Sequence, residues 1–480
     1  MECLFTLREG RRGMRIDPQG THQSPDSPHS RMFTERYTPM LCSRRMEIDP
    51  LARALNETLT REAPTVFALL SERGKRLFFP VEGILGQTSE AKGSAMNATI
   101  GIGFDDVGAP LALPSLLKSF NLPPEDVLPY APSFGLPQLR ERWGAMLREK
   151  NSSLSVRLSL PVVTAGITHA LDVAAALFVD PNDSVILPDP AWDNYALTFS
   201  SLYGASLSSY PAFRGAQYNL AALEETIARS PGSKKIVLLN FPHNPSGYTL
   251  TVKEAQDLAQ LLRRRAESGD TLLVLLDDAY FGLVYEEGIL RESLLSILSN
   301  LHERILIAKI DGASKEDCAW GLRIGFLTFA QRGMTDAVAT ALEHKAAGAV
   351  RASVSNACRA SQAALLSLYN SPSYDAEKVR TFSLLHERYR EVRRALTDSE
   401  IANALQFLPF NSGYFFCVAL PTWCNADVVR RALLRDHSIG VIAMGNLLRI
   451  AYSSLPRKHI EPVLQTIAQV CRSQNPPENR

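Results

Sequence analysis

The chain has 480 residues, 51 Lys+Arg against 50 Asp+Glu, a formal net charge of +1, and 45% hydrophobic and 21% charged residues. These are ordinary globular values for a chain long enough to build more than one core. The near-balanced charge sets up no global field that would favour nucleic acid or a membrane surface. No apolar run approaches the roughly 18–20 residues that span a bilayer. The seven cysteines are scattered with no CxxC pair, which implies reduced thiols and a cytosolic setting.

Residues 1–45 hold eight arginines, no lysine, and Pro18, Pro25 and Pro28 in a Gly/Ser/His-rich setting. No apolar period is sustained there, so a disordered basic extension is expected. Glu2, Glu9, Asp17, Asp26 and Glu35 are too many acids for a transit peptide. A translation start at Met46, where the globular pattern begins, is the remaining alternative.

From Val162 onward, strand and helix patterns alternate. Val162–Thr164 ends near Gly166, and a helix is expected from Thr168 to Phe178. Ser184–Leu187 and Lys235–Leu239 read as strands, the second ending at the loop Asn240–Tyr248. Thr251 with Glu254 three residues later is a capping box opening a helix that runs to Gly269. Arg263-Arg264-Arg265 reads as its solvated end. Leu272–Leu276 and Ile305–Ile310 are further strands, ending in Asp277-Asp278 and Asp311-Gly312. This alternation predicts an α/β fold with a mainly parallel sheet covered by helices on both faces, and ligands beyond the carboxyl ends of the strands. After about residue 380 the character changes to a long charged helix, Ala376–Leu396, short strands around Tyr414–Ala419 and Leu448–Tyr452, and a final helix near His459–Cys471. The expected division is a basic extension over 1–45, an N-terminal segment over 46–100, a large domain over 101–380 and a smaller α+β domain over 381–480. Residues 46–100 complete the smaller domain.

The chemistry gathers at strand ends. Lys315 follows Ser314 after an expected strand, and Arg323 stands eight residues on. A lysine there can form an imine with an aldehyde once its pKa falls far enough to free the amine. Gly166-Ile167-Thr168 opens a helix after a strand, so its N–H groups can face an anion. Asp277-Asp278-Ala279-Tyr280, His243-Asn244-Pro245-Ser246-Gly247, Asp189-Pro190-Ala191-Trp192-Asp193-Asn194, and Tyr130 with Gly135 complete the pattern. No GxxxxGK[ST], HExxH or GxSxG motif occurs, and no metal site is expected.

In their order and intervals, from about Asn97 to Arg449, these segments resemble the fold-type I pyridoxal-phosphate-dependent aminotransferases, most closely the aspartate aminotransferase group. The resemblance implies a mainly parallel seven-stranded sheet, a homodimer with shared sites, and amino-acid and 2-oxo-acid substrates. It implies that Lys315 carries pyridoxal 5′-phosphate as a Schiff base. Asp277 would hold the pyridine nitrogen protonated, Asn244 and Tyr280 would bond its phenolic oxygen, and Trp192 would stack on the ring. Arg323, Ser314, Gly166, Ile167 and Thr168 would hold the phosphate, with Tyr130 reaching it from the partner subunit. Arg449, in Leu448–Tyr452, matches the arginine that binds the substrate α-carboxylate, and Trp192 and Asn244 also border the substrate. Arg351, in Val350–Asn356, resembles an arginine that crosses the dimer interface to a side-chain carboxylate; on that match the substrate is aspartate or glutamate, with aromatic amino acids the other expectation. Gly103, in Gly101–Asp106, resembles a glycine-bearing loop beside the substrate, although the turn from Asp106 to Pro110 looks short. A second departure is Gly312, where the family pattern often has serine. A lyase or decarboxylase of the same fold and a non-catalytic regulatory homologue are the alternatives.

Overall fold

The computed structural model describes residues 48–474, so the expected extension over 1–45 lies outside the described residues. Seven strands form the central sheet: β1 (Val162–Thr164), β2 (Ser184–Asp189), β3 (Ser206–Pro211), β4 (Lys234–Asn240), β5 (Thr271–Asp277), β6 (Ile305–Asp311) and β7 (Gly325–Ala330). Their order is β1-β7-β6-β5-β4-β2-β3. β2 to β6 pair in parallel, while β7 runs antiparallel between β1 and β6. Ile236–Leu239 on β4 and Leu272–Leu276 on β5 are buried. A sheet covered on both faces requires such continuous apolar runs.

Each expected strand of the parallel set extends into its polar end, so that Asn240 lies opposite Asp277 in register. Two strands escape the sequence pattern. β3 is serine-rich and sits at the sheet edge, where only part of its surface needs covering. β7 begins two residues after Arg323 and is buried throughout. The helix Ile167–Phe178 packs against the sheet, and Val252–Glu267 carries the expected capping box between Thr251 and Glu254. The arginine run at its end is less solvated than expected. Arg263 and Arg264 pair on the surface with Glu267 and Glu224, but Arg265 is partly buried and donates to Asp270 at 2.7 Å.

The C-terminal part builds a second, antiparallel sheet from β8 (Gln406–Phe407), β9 (Phe415–Ala419), β10 (Ile442–Met444) and β11 (Leu447–Ala451), in the order β8-β9-β11-β10. Helices Tyr374–Ala395, Ala426–His437 and Ile460–Ser473 accompany it. Met96–Asn97 pairs in parallel with Ile439–Gly440, and Gln87 bonds both main-chain groups of Ala443. Met96–Asn97 and Gln87 are thus tied to the C-terminal part of the chain. No helix among the described residues is long and apolar enough to cross a membrane.

Candidate active site

Lys315 lies on the one-turn helix Ala313–Glu316, immediately beyond the carboxyl end of β6. Tyr414 donates its hydroxyl to the Lys315 carbonyl at 3.0 Å and fixes this turn. The lysine Nζ stands 5.1 Å from the centre of the Tyr280 ring. Burial brings its pKa down to about 8; the Asp277 charge opposes this shift and the Arg323 charge adds to it. A lysine so placed offers a usable fraction of free amine near neutral pH.

Asp277 ends β5 and is 2% exposed. Its Oδ2 accepts from the Tyr195 hydroxyl at 2.7 Å and its Oδ1 from the Ala279 N–H at 3.1 Å. Burial raises its pKa, and the Tyr195 hydrogen bond works against that rise. A buried carboxylate of this kind stays ionised most readily beside a cation. Asn240 donates from Nδ2 to the Asp277 carbonyl at 2.7 Å, and its Oδ1 accepts from the Asn244 N–H at 2.7 Å. These bonds tie the Asn244 loop to the end of β5. The Trp192 ring lies 5.4 Å from that of Tyr195, nearly perpendicular to it. In the same loop, burial takes the His243 pKa down to about 3, which keeps the ring neutral.

The elements expected to face an anion meet at Arg323 and Gly166. Arg323 has φ of 52°, a left-handed conformation that costs a non-glycine residue about 1–3 kcal/mol and concentrates at functional sites. Gly166 has φ of 87°, and a Cβ there would lie 2.5 Å from Arg323 Nη2. Only glycine lets the guanidinium rest against the start of the Ile167–Phe178 helix, whose first N–H groups lack intrahelical partners. Among the described residues Arg323 makes no ion pair; its Nη1 donates to the Trp320 carbonyl at 3.2 Å. Gly312 also has a steric reason. A side chain there would place its Cβ 2.6 Å from the Ile324 carbonyl oxygen, so serine does not fit without a main-chain shift.

Arg449 enters from β11 of the smaller sheet and is 2% exposed. Its Nη2 donates to the Thr99 carbonyl at 2.9 Å and its Nη1 to Asn244 Oδ1 at 3.2 Å. Its guanidinium carbon lies 4.5 Å from the Phe415 ring centre, and Nε has no protein partner.

A single cavity of about 290 Å³ collects Lys315, Ser314, Asp277, Tyr280, Asn244 and Trp192. Ile167, Thr168, Arg323 and Arg449 line it as well, with Gly166 directly behind Arg323. Three expected residues lie elsewhere. Tyr130 is 88% exposed, and Arg351 projects from the surface of the helix Asp336–Ser353 with its Nη1 donating to Ser355 Oγ at 2.5 Å. Gly103 is buried against Leu111, and Gly101 takes the lining position instead. The short turn after it is closed by Asp105, whose Oδ1 accepts from Val107 and Ala109, while Asp106 pairs with buried Arg388 at 2.9 Å. Sequence reasoning missed Tyr195, Asn240, Thr99 and Phe415, and also Ile84 and Leu85. Tyr195 directly follows the segment Asp189–Asn194 and Asn240 opens the loop Asn240–Tyr248, so both stand at the edges of segments already singled out; the others carry no motif.

A mainly parallel seven-stranded sheet with a partly buried amine, a buried carboxylate and two guanidinium groups at its carboxyl edge defines a fold-type I pyridoxal-phosphate-dependent scaffold. The chain belongs to the aminotransferase class I and II family, whose profile matches residues 112–467. An aspartate aminotransferase of Sulfurisphaera tokodaii is 29% identical over 201 residues, 41% of this chain and 47% of the relative. A probable N-acetyl-LL-diaminopimelate aminotransferase of Bacillus subtilis is 28% identical over 203 residues, 42% of this chain and 48% of the relative. The chain thus spans about half the length of the curated relatives it matches. Among solved structures, an aminotransferase from Anaerococcus prevotii shares the fold with a TM-score of 0.75 at 22% identity, covering 85% of this chain and all of that one.

Proposed function

We propose that this chain is a pyridoxal-phosphate-dependent aminotransferase that moves an amino group between an L-amino acid and a 2-oxo acid. The observation that carries the reading is the sharing of one cavity by the Lys315 amine, its pKa drawn down to about 8, with buried Asp277 and the guanidinium groups of Arg323 and Arg449. The residues fit the cofactor on physical grounds. Arg323 brings a guanidinium free of any acid among the described residues, and Gly166 leaves space for nothing larger than hydrogen beside it. Asp277 is a carboxylate whose burial calls for a cationic neighbour such as a protonated ring nitrogen.

When bound, the cofactor supplies an aldehyde carbon for amine exchange and an electron-withdrawing ring that stabilises negative charge at the substrate Cα. Lys315 Nζ would hold the cofactor's aldehyde carbon and, when released from it, would serve as the base and acid for the substrate Cα proton. Asp277, oriented by Tyr195, would keep the ring nitrogen protonated. Asn244 and Tyr280 would donate toward the phenolic oxygen, and Trp192 would cover a ring face. Arg323, Ser314 and the Gly166–Thr168 turn would hold the phosphate, while Arg449 would bind the α-carboxylate in a planar fork.

The same reading makes the protein a homodimer with shared sites. Tyr130 and Arg351 reach a cavity only from a second copy, where Tyr130 would bond the phosphate and Arg351 would approach the substrate. The exposure of Leu117, Phe120 and Leu128 on the segment leading to Tyr130 supports this, since exposed large apolar groups in one segment mark association surfaces. Ser133 bonds the Ser355 carbonyl and so links that segment to the Arg351 region. The division into a large domain over 101–380 and a smaller one over 381–480 completed by 46–100 belongs to the reading. So does a cytoplasmic location, supported by five unpaired cysteines among the described residues.

The test is the visible absorption spectrum of the purified protein before and after adding amino acids. A cofactor band that is bleached by an amino acid and restored by a 2-oxo acid supports transamination. Release of carbon dioxide in place of a 2-oxo acid favours the decarboxylase alternative. No band, or one unaltered in Lys315→Ala, defeats the proposal.

A further inference from the structure

The turn that carries Lys315 is too short to hold its own shape. Ala313–Glu316 is a single turn of helix, and the chain leaves it through Asp317 and Cys318, the latter with a φ of 54°. One turn fixes several dihedral angles for little hydrogen bonding, so it needs support from outside. The two residues after Lys315 supply it, and both are acids. Asp317 is fully buried. Its Oδ2 accepts from the Tyr369 hydroxyl at 2.8 Å and its Oδ1 from the Tyr374 hydroxyl at 2.7 Å, with Lys378 Nζ 3.3 Å from Oδ1. Glu316 Oε1 pairs with Lys150 Nζ at 2.6 Å and with Lys378 Nζ at 2.5 Å.

Two carboxylates and two ammonium groups thus close a charge-balanced cluster behind the lysine. Burial works to raise the Glu316 pKa, but the Lys150 and Lys378 charges outweigh it and hold the carboxyl well below the ordinary carboxylate range. Burial likewise opposes the charge on Lys378, and Asp317 and Glu316 raise its pKa in spite of it. The cluster ties the turn to three helices: Pro137–Lys150 through Lys150, Arg359–Tyr369 through Tyr369, and Tyr374–Ala395 through Tyr374 and Lys378. The first of these also reaches the end of β6 on the other side of the lysine, where Trp143 Nε1 donates to Asp311 Oδ1 at 3.2 Å. None of the six cluster residues lines the cavity. Well-packed apolar groups would stabilise a fold as well as four largely buried charges do, so what the cluster adds is a fixed geometry.

We propose that Glu316, Asp317 and Lys378 are positioning residues, which fix the Lys315 turn so that Nζ stands where the carbon of a bound aldehyde can reach it. This rests on the aminotransferase reading and gives the reacting amine a support that the cavity itself does not contain. Misplacing a reacting atom by about 1 Å costs up to about 100-fold in rate. The cluster therefore bears on capture of the aldehyde and on proton transfer at Cα. It does not bear on the phosphate or the α-carboxylate, which Arg323 and Arg449 would hold from other segments.

The test compares two ligands on the cofactor-free full chain by equilibrium dialysis: pyridoxal 5′-phosphate, which has the aldehyde, and pyridoxine 5′-phosphate, which has an alcohol in its place. Tyr374→Phe removes one hydrogen bond to Asp317, and Asp317→Asn removes its charge. Each should weaken binding of the aldehyde by at least about tenfold, the effect of one hydrogen bond to a charged group, and leave binding of the alcohol unchanged. In the loaded protein kcat should fall with KM unchanged, and deuterium at the substrate Cα should slow turnover more than in the parent. Where Asp317→Asn does not fold, Tyr369→Phe and Tyr374→Phe carry the comparison. A cluster that merely holds the fold together would weaken both ligands alike and lower the melting temperature with them. Equal weakening of both ligands, or of neither, overturns the proposal while leaving the aminotransferase reading intact. A parent chain that binds the aldehyde no better than the alcohol and shows no visible band defeats the aminotransferase reading and this inference with it.

Discussion

Arg449→Lys keeps the charge at the proposed carboxylate anchor and removes the fork. The arginine has five N–H donors. One is used on the Thr99 carbonyl and one on Asn244 Oδ1, while Nε has no protein partner. The second hydrogens of Nη1 and Nη2 remain for a planar carboxylate, in a site where Arg449 is 2% exposed and lies over Phe415. Lysine presents its donors from one point and cannot span two carboxylate oxygens while also holding Thr99. Loss of one charge-assisted hydrogen bond costs about 1.5–3 kcal/mol. At 1.36 kcal/mol per tenfold, that is roughly a 10- to 150-fold fall in kcat/KM. The assay is the single-turnover half-reaction, comparing the best amino acid with the amine that has the same side chain and no carboxylate. The loss should fall on the amino acid and leave the amine's rate nearly unchanged. An equal loss on both would refute the assignment, because Arg449 would then act by holding Asn244 and Thr99 in place. No loss on either refutes it too.

Asp277→Asn separates chemistry from stability. The folded-state pKa of Asp277 lies above its ordinary value of 3.8 because of burial, so its ionisation destabilises the folded form as pH rises through that raised value. The amide removes this cost. The cofactor-free variant should melt at the same or a higher temperature at neutral pH, while turnover falls about 100-fold or more; a lower melting temperature with intact turnover contradicts this. For Lys315 the sign is set by a folded pKa of about 8 below an ordinary 10.5. The cost of burying the charged amine is present in full below pH 8 and is relieved between 8 and 10.5. In denaturant titrations of the cofactor-free protein, Lys315→Met should be more stable than the parent near pH 7, and the gap should close by pH 10. A gap independent of pH goes against it. Gly166→Ala forces a Cβ to within 2.5 Å of Arg323 Nη2 at a φ of 87°. It should cost about 1–3 kcal/mol of stability and weaken cofactor affinity measured by equilibrium dialysis; unchanged affinity would separate Gly166 from the phosphate.

Much of this site was legible because its residues sit where an α/β sheet must expose polar groups. The apolar runs Ile236–Leu239 and Leu272–Leu276 fix buried strands, and the polar residues that stop them, Asn240 and Asp277, are then forced to the carboxyl edge side by side. The spacing of Lys315 and Arg323 is likewise local. The less legible parts depend on chain segments far apart in sequence. Arg449 comes under Asn244 only through the pairing of β11 with β9, and Thr99 reaches it across 350 positions. The helix Ile84–Glu90, which brings Ile84 and Leu85 to the cavity, is too short to show a helical period and is held by Gln87, Glu90 and Asp193, none of which announces a partner in sequence. β3 was hidden by its serines, and β7 by its position directly after Arg323. Gly312 departs from the serine of the family pattern; the structure gives it a steric reason, the Ile324 carbonyl oxygen.

The most direct measurement is borohydride reduction of the cofactor-loaded protein followed by peptide mass mapping. Reduction fixes a carbon–nitrogen bond between the cofactor aldehyde and whichever amine holds it. The expected result is a single phosphopyridoxyl mass on the peptide that contains Lys315, lost when an amino acid is added before the reductant. Lys309 is the internal comparison: it is fully buried between Asp278 and Asp311, and those charges raise its pKa against burial, so it stays protonated and unreactive. Modification at Lys309 or any other lysine, or none at all in protein that retains its visible band, would contradict the account.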